Sequence, residues 1–162
     1  QDGKPLFVTN ASSRAFTPDG KEIYGIEFLI GYFGSHQEFN LVILDPKGEY
    51  MPLYSVNLPS NVYIYTGLHS FCGLMEYADA VIRNTPTDGD SVSVKEALFY
   101  HKKMLATDAV SRPDGVFLFR YSDKDSLDEA IAKALNYNGM IELKEENAEQ
   151  QYVKLYQSVG VI

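Results

Sequence analysis

The sequence predicts an α+β domain, built from an N-terminal antiparallel, aromatic-rich β-meander, two amphipathic helices, a β-α-β unit and a C-terminal helix. Three observations predict this class. Runs rich in aromatic and β-branched residues alternate with turn signals up to residue 66. The apolar period then lengthens from two to about 3.6, and a strand-helix-strand pattern follows from residue 116. A chain of 162 residues with 45% apolar side chains suits one domain over 1–162, mainly β in 1–66 and mixed in 67–162.

Five β-type runs make up the predicted meander. They span residues 6–9, 22–33, 39–44, 49–56 and 62–65. The segments 17–20 and 45–48 each place a proline second and a glycine last, which is typical of tight turns between strands. Pro52 cannot donate a ladder hydrogen bond, so the fourth strand is expected at an edge of the sheet.

Two amphipathic helices are predicted after the meander. Phe71, Leu74 and Met75 begin a helical apolar period that predicts a helix over 70–83. The pair Ser93 and Glu96 has the spacing of a capping box and predicts a second helix over 93–106. The same spacing turns His101 toward the core.

The β-α-β unit is predicted from residue 116 onward. Residues 116–121 have strand character, Ser126 and Glu129 form a second capping box, and 140–143 have strand character again. Short connections favour parallel strands in one sheet. A last helix is expected over 147–158, followed by an apolar tail that docks on the domain.

Charge and cysteine content restrict the partners and the compartment. The formal net charge of −8 disfavours binding to nucleic acid or to an anionic membrane surface. No apolar run is long enough to span a bilayer. The single cysteine, Cys72, excludes an internal disulfide and favours the cytoplasm. An exported form stays open, because a removed leader would also leave a chain that begins at Gln1.

The sequence contains no strong catalytic motif and no glycine-rich phosphate cradle, which favours a non-catalytic protein-interaction module, either an inhibitor or an adaptor. Neither a cofactor nor a metal is expected, since the three histidines and Cys72 lie on separate elements. The partner would be another protein with a basic surface, bound through an acidic face or a tyrosine-rich sheet face. The candidate binding residues are Asp123, Asp125, Asp128, Glu129, Glu142, Glu145, Glu146, Glu149, Tyr50, Tyr54, Tyr63 and Tyr65.

Two alternatives remain open from the sequence. The first is a small cysteine-dependent hydrolase or transferase that uses Cys72 with His69 or His101, because Cys72 falls in the first turn of a predicted helix, where a thiolate is stabilised. The second is a structural subunit of a larger assembly, in contact through the apolar tail or the sheet edge near Pro52.

Overall fold

The structure, a computed structural model of the chain, describes residues 3–89, 91–141 and 157. Strands and helices alternate along this part of the chain. They are β1 (Leu6–Asn10), α1 (Ile26–Gly34), β2 (Asn40–Asp45), α2 (Met51–Tyr54), β3 (Val62–Thr66), α3 (Phe71–Met75), β4 (Ala80–Arg83), α4 (Val92–Phe99), β5 (Lys103–Thr107), β6 (Val116–Phe119) and α5 (Lys124–Asn136). None of these helices is long and apolar enough to cross a membrane.

The six strands form one sheet in the order β3-β2-β1-β4-β5-β6, and every neighbouring pair is parallel. The predicted antiparallel meander is therefore wrong. At the centre of the sheet, Val8 pairs with Val42 on one side and with Val81 on the other. Parallel strands require a crossover between them, and helices or loops supply each one here.

Helices cover both faces of the sheet, and the core has two layers. Helices α1 and α5 pack on one face around Phe7, Ile43 and Ile82. Helices α3 and α4 pack on the other face around Val8 and Met104. Strands buried on both faces read as continuous apolar runs rather than as alternating ones. The burial pattern of β2, which is intermediate at its first residue and buried at the next five, is of this kind.

The segment predicted as the second strand, 22–33, contains helix α1 instead. The buried residues Ile26, Leu29, Ile30 and Phe33 recur at i, i+3, i+4 and i+7, which is one face of a helix. Their aromatic and β-branched types suggested a strand, but burial against the sheet outweighs that weak preference. The segment 49–56, also predicted as a strand, contains the short helix α2.

Both predicted amphipathic helices are too long at their C-terminal ends. Helix α3 ends at Met75, and residues of the predicted helix beyond it form β4; helix α4 ends at Phe99 and is followed by β5. His101 adopts a left-handed backbone conformation with φ 56°, which turns the chain from α4 into β5. His101 is exposed and does not point into the core.

Strands β1, β2, β3 and β6 and helix α5 lie where the sequence predicts such elements. The predicted β-α-β unit is only partly seen, because β6 and α5 are present but residues 140 and 141 are not in a strand. Residues 142–143, the tail 159–162 and all of the predicted helix 147–158 except residue 157 lie outside the described residues. The single domain over 1–162 stays a prediction.

Candidate functional site

The strand order creates a crevice at the carboxyl edge of the sheet, between β1 and β4. From β1 the chain crosses through α1 to β2 on one side, and from β4 it crosses through α4 to β5 on the other side. In open parallel sheets, ligands bind outside the strand ends at such a reversal of direction. The residues at this edge therefore form the candidate site.

Asn84 and Gly25 are in contact at this edge of the sheet. Asn84 follows β4 and is fully buried. Its side-chain amide donates to the Gly25 carbonyl oxygen at 3.1 Å, and its Oδ1 accepts from the Ser122 amide at 3.0 Å. Gly25, the N-cap of α1, has φ 54° and touches Asn84 so closely that a Cβ would lie 2.1 Å from Asn84 Nδ2. These contacts fix the start of α1 against β4 and the β6–α5 loop.

The N-termini of α1 and α4 differ in whether an acidic side chain is bound there. At α1, Glu22 Oε2 accepts a hydrogen bond from the Glu27 amide at 3.0 Å, so a carboxylate already occupies this positive end. At α4, the N-cap Ser91 makes no side-chain cap hydrogen bond, and its hydroxyl lies 3.0 Å from that of Ser93. Within the described part of the chain, α4 is thus the helix start at this edge that suits an anion.

Two arginines and one aspartate hold the loop that leads from β4 to α4. Asp88 accepts two hydrogen bonds from Arg83, at 2.6 and 3.0 Å, and a third from Arg112 Nη1 at 2.8 Å. Burial by itself would raise the pKa of Asp88, but the hydrogen bonds from the two guanidinium groups outweigh it and hold that pKa below its usual value. Asp88 is therefore ionised at neutral pH.

A small apolar pocket lies beside the crevice, beyond the ends of β1, β2 and β3. Its volume is about 200 Å³. Leu68 projects almost wholly into solvent at its rim. The lining residues are Asn10, Ala11, Ser12, Leu44, Pro46, Gly67, Leu68, His69 and Phe71. Such a pocket suits a flat, weakly polar group.

His69 and His101, the two histidines that the sequence suggested as partners of Cys72, lie against backbone carbonyl oxygens instead. His69 Nε2 lies 2.9 Å from the Thr66 carbonyl oxygen, and His101 Nδ1 lies 2.6 Å from the Ile141 carbonyl oxygen. Cys72 instead shares a shallow depression of about 280 Å³ with Glu96 and Tyr100. Burial, and then the charge of Glu96, raise the pKa of the thiol, the opposite of what a nucleophile needs.

We expect alkylation of Cys72 by iodoacetamide at pH 8 to be slower than that of free cysteine, because a raised pKa leaves less thiolate. Glu96→Gln removes a charge that raises this pKa, so the variant should be alkylated faster than the wild type at the same pH. Mass spectrometry over time measures both rates. A wild-type thiol that reacts faster than free cysteine would contradict this expectation.

The acidic candidates within the described residues cap helix α5 or lie on it. Asp123 is its N-cap, with Oδ1 accepting from the Ser126 amide at 2.9 Å, and Asp128 accepts from the Tyr32 hydroxyl at 2.5 Å. Asp125 lies in the first turn, and Glu129 is 3.6 Å from Lys133. Glu142, Glu145, Glu146 and Glu149 lie outside the described residues. Binding of a basic partner by these acids stays a prediction.

The four candidate tyrosines do not share a sheet face. Tyr50 is fully buried, and Tyr54 lies on α2 and packs against the core. Tyr63 and Tyr65 lie on the edge strand β3 and are 43% and 49% exposed. Within the described residues, no group of three or more histidine, cysteine, aspartate or glutamate side chains could hold a metal ion.

Comparisons with known proteins find similarity in structure but not in sequence. No family model matches the chain, and no curated protein matches it. Sucrose-phosphate synthase from Thermosynechococcus elongatus superposes with a TM-score of 0.65 at 14% identity, over 98% of this chain and 46% of that one. HepE from Anabaena, solved with UDP-glucose, gives a TM-score of 0.64 at 14% identity, over 83% and 40%. A UDP-forming trehalose-phosphate synthase from Burkholderia xenovorans, solved with glucose-6-phosphate, gives 0.60 at 13%, over 98% and 40%.

These likenesses show the fold alone, a parallel sheet with helices that resembles the Rossmann-like fold of GT-B glycosyltransferases. The chain spans less than half the length of each of these three structures. The interpretation as a non-catalytic inhibitor or adaptor is wrong, because the neighbours include glycosyltransferases and the sheet that the described residues form is parallel rather than antiparallel. The cysteine-dependent alternative is also wrong, because His69 and His101 bind backbone carbonyl groups and the pKa of the Cys72 thiol is raised. The sheet edge near Pro52, one contact suggested for a structural subunit, is replaced by the short helix α2.

Proposed function

We propose that this chain binds a sugar nucleotide at the carboxyl edge of its sheet, as one Rossmann-like half of a GT-B glycosyltransferase. One observation carries the proposal: an apolar pocket beyond the ends of β1, β2 and β3 and the start of α4 after β4, whose N-cap Ser91 makes no side-chain cap hydrogen bond, lie at the same carboxyl edge of the sheet. The fold neighbours support it, since one of them was solved with UDP-glucose.

In this proposal the apolar pocket receives the nucleobase. Its volume of about 200 Å³ matches one ring system rather than a whole nucleotide, since roughly 150 Å³ suffices for benzene. Leu68, His69 and Phe71 supply apolar and aromatic surface on the α3 side of the pocket. Stacking on such surface is worth about 1–3 kcal/mol per base.

The diphosphate lies at the N-terminus of α4. The chain as a whole repels anions, because its formal charge is −8. Attraction must therefore be local, and the N-terminal amides and the dipole of α4 provide it. Glu22 excludes the equivalent position on α1.

In the proposed transfer of the sugar, negative charge develops on the diphosphate. The bond between the anomeric carbon and the diphosphate oxygen breaks, and its electron pair stays on that oxygen. The oxygen of an acceptor hydroxyl forms the new bond to that carbon, and the proton of the hydroxyl passes to water. Amides at the start of α4 stabilise the leaving diphosphate, because they face the negative charge as it grows. We also propose the cytoplasm as the compartment, since Cys72 is a free thiol.

Isothermal titration with UDP-glucose, UDP, GDP and ADP tests the proposal. We expect at least one nucleotide to bind, and Leu68→Asp to weaken that binding about tenfold, because it places a carboxylate at the pocket rim near a ligand that is itself anionic. Leu68 is 97% exposed, so the substitution should not affect folding.

Val56→Asp is the matched control, because Val56 is 89% exposed and does not line the pocket. It makes the same change of charge on the same chain and should leave affinity unchanged. Absence of binding by all four nucleotides at millimolar concentration would refute the proposed function. Equal weakening by both variants would show that the pocket is not the base site.

A further inference from the structure

The loop after β4, described for residues 84–89, leads toward α4, and side chains from β5 and the segment after β5 hold this loop at two points. Thr107, the last residue of β5, donates its hydroxyl hydrogen to the Thr85 carbonyl oxygen at 2.6 Å. Arg112 Nη1 donates to Asp88 at 2.8 Å. Asp88 lies three residues before the N-cap Ser91. The loop is thus clamped at its start and close to its end.

Arg112 connects the two halves of this clamp. Its Nε donates to the Thr107 carbonyl oxygen at 3.1 Å while its Nη1 reaches Asp88. The Arg112 side chain is only 2% exposed and the Asp88 side chain 7%. The planar guanidinium therefore fixes the separation between the end of β5 and Asp88.

The hydrogen-bonding capacity of the Arg112 guanidinium is only partly used within the described residues. Its Nη2 is buried and finds no hydrogen-bond acceptor among the described residues. A buried donor without a partner opposes folding. A guanidinium kept in such a place fits a role in function better than a role in stability alone.

We propose that Arg112 is a positioning residue for the diphosphate half of the proposed nucleotide site. It holds Asp88, and through it the start of α4, where the helix amides meet the diphosphate. This inference rests on the proposed function. Lysine cannot replace arginine here, because one ammonium group lacks the rigid fork that reaches two acceptors in fixed directions.

The test compares nucleotides with their own nucleosides. Affinities of UDP, GDP and ADP, and of uridine, guanosine and adenosine, are measured by titration for the wild type, Arg112→Met and Arg112→Lys. We expect both variants to bind the preferred diphosphate at least tenfold more weakly, and its nucleoside within twofold of the wild type. A merely structural defect would weaken both ligands together.

Two further variants keep the test decisive. Arg120→Met removes the same charge at the same edge of the sheet. Because Arg120 is exposed and pairs with Asp123, the ratio of diphosphate affinity to nucleoside affinity should not change in this variant. Thr107→Val removes the hydrogen bond that holds the start of the loop. It should lower the ratio of diphosphate affinity to nucleoside affinity, as Arg112→Met does. This variant replaces Arg112→Met in the test if Arg112→Met does not fold.

The outcomes separate this inference from the proposed function. If the wild type binds none of the nucleotides, the proposed function fails and this inference fails with it. If the wild type binds and the Arg112 variants keep the wild-type ratio, only the inference fails. Full recovery of diphosphate affinity in Arg112→Lys would show that charge, and not positioning, is what Arg112 contributes.

Discussion

Gly25→Ala is expected to destabilise the fold by about 4 kcal/mol, near the upper end for single substitutions. Gly25 has φ 54°, a conformation that costs alanine roughly 1–2 kcal/mol. The added Cβ would also lie 2.6 Å from the Asn84 carbonyl oxygen and 2.1 Å from Asn84 Nδ2. Relief of this overlap would break the hydrogen bonds of Asn84, which is fully buried.

Thermal unfolding followed by circular dichroism measures the effect. For a chain of this length we expect the midpoint to fall on the order of 10 °C. Gly31→Ala is the matched control, because Gly31 is exposed inside α1 and nothing lies within 4 Å of its added Cβ. That variant should be stabilised by about 0.5–1 kcal/mol, the usual advantage of alanine inside a helix. Similar midpoints for both variants would contradict the contact between α1 and β4.

The sequence predicts the strands of this fold better than their arrangement. Strands β1, β2 and β3 were predictable, because aromatic and β-branched runs are bounded there by turn residues. Their continuous apolar character also carried a signal for parallel pairing, since an antiparallel sheet with one wet face alternates. Which strands pair depends on contacts distant in the sequence, and those are not visible in local pattern.

The boundaries between α3 and β4 and between α4 and β5 could not be predicted from periodicity. Buried strand residues such as Val81 and Met104 continue the spacing of the preceding helix by coincidence. The usual marker of a helix end, a glycine in left-handed conformation, is replaced at the end of α4 by His101. A rule that looks for glycine therefore extends the helix through the strand.

The candidate site was missed for a related reason. Asn84 and Asp88 follow β4, and Arg112 follows β5. Both strands were predicted as helix, so their ends were not recognised. Gly25 was placed within a strand, although it lies between a strand and a helix, where close approach requires glycine. Once the strands are known to be parallel, their carboxyl ends gather these residues at one edge.

Asp88→Asn is expected to cost about 3 kcal/mol at neutral pH, because it removes the partner of two guanidinium groups, one of them almost fully buried. Loss of one member of a buried ion pair typically costs about 3–5 kcal/mol, since the remaining charge is left uncompensated. We take the lower end because Arg83 keeps partial access to solvent. Urea unfolding of the two proteins measures the difference.

The cost should depend on pH in a direction fixed by the lowered pKa of Asp88. Its pKa in the folded state lies below the unfolded value of about 3.9, so ionised Asp88 stabilises the fold fully above about pH 4 and progressively less as pH falls through the folded pKa. The difference between wild type and Asp88→Asn should therefore be constant from pH 5 to pH 8 and shrink below pH 4.

Asp19→Asn tests whether a lowered pKa affects stability when the aspartate is exposed rather than buried. Hydrogen bonds from Thr17 and Lys21 lower the pKa of Asp19 to about 2, but Asp19 is exposed and solvent screens its ion pair with Lys21. Its replacement should leave the unfolding midpoint unchanged at neutral pH. A depressed pKa alone then has little effect on stability, and the large effect at Asp88 comes from the buried guanidinium that its carboxylate neutralises. Equal midpoints for Asp88→Asn and wild type would place Arg112 in contact with solvent and remove the basis for its positioning role.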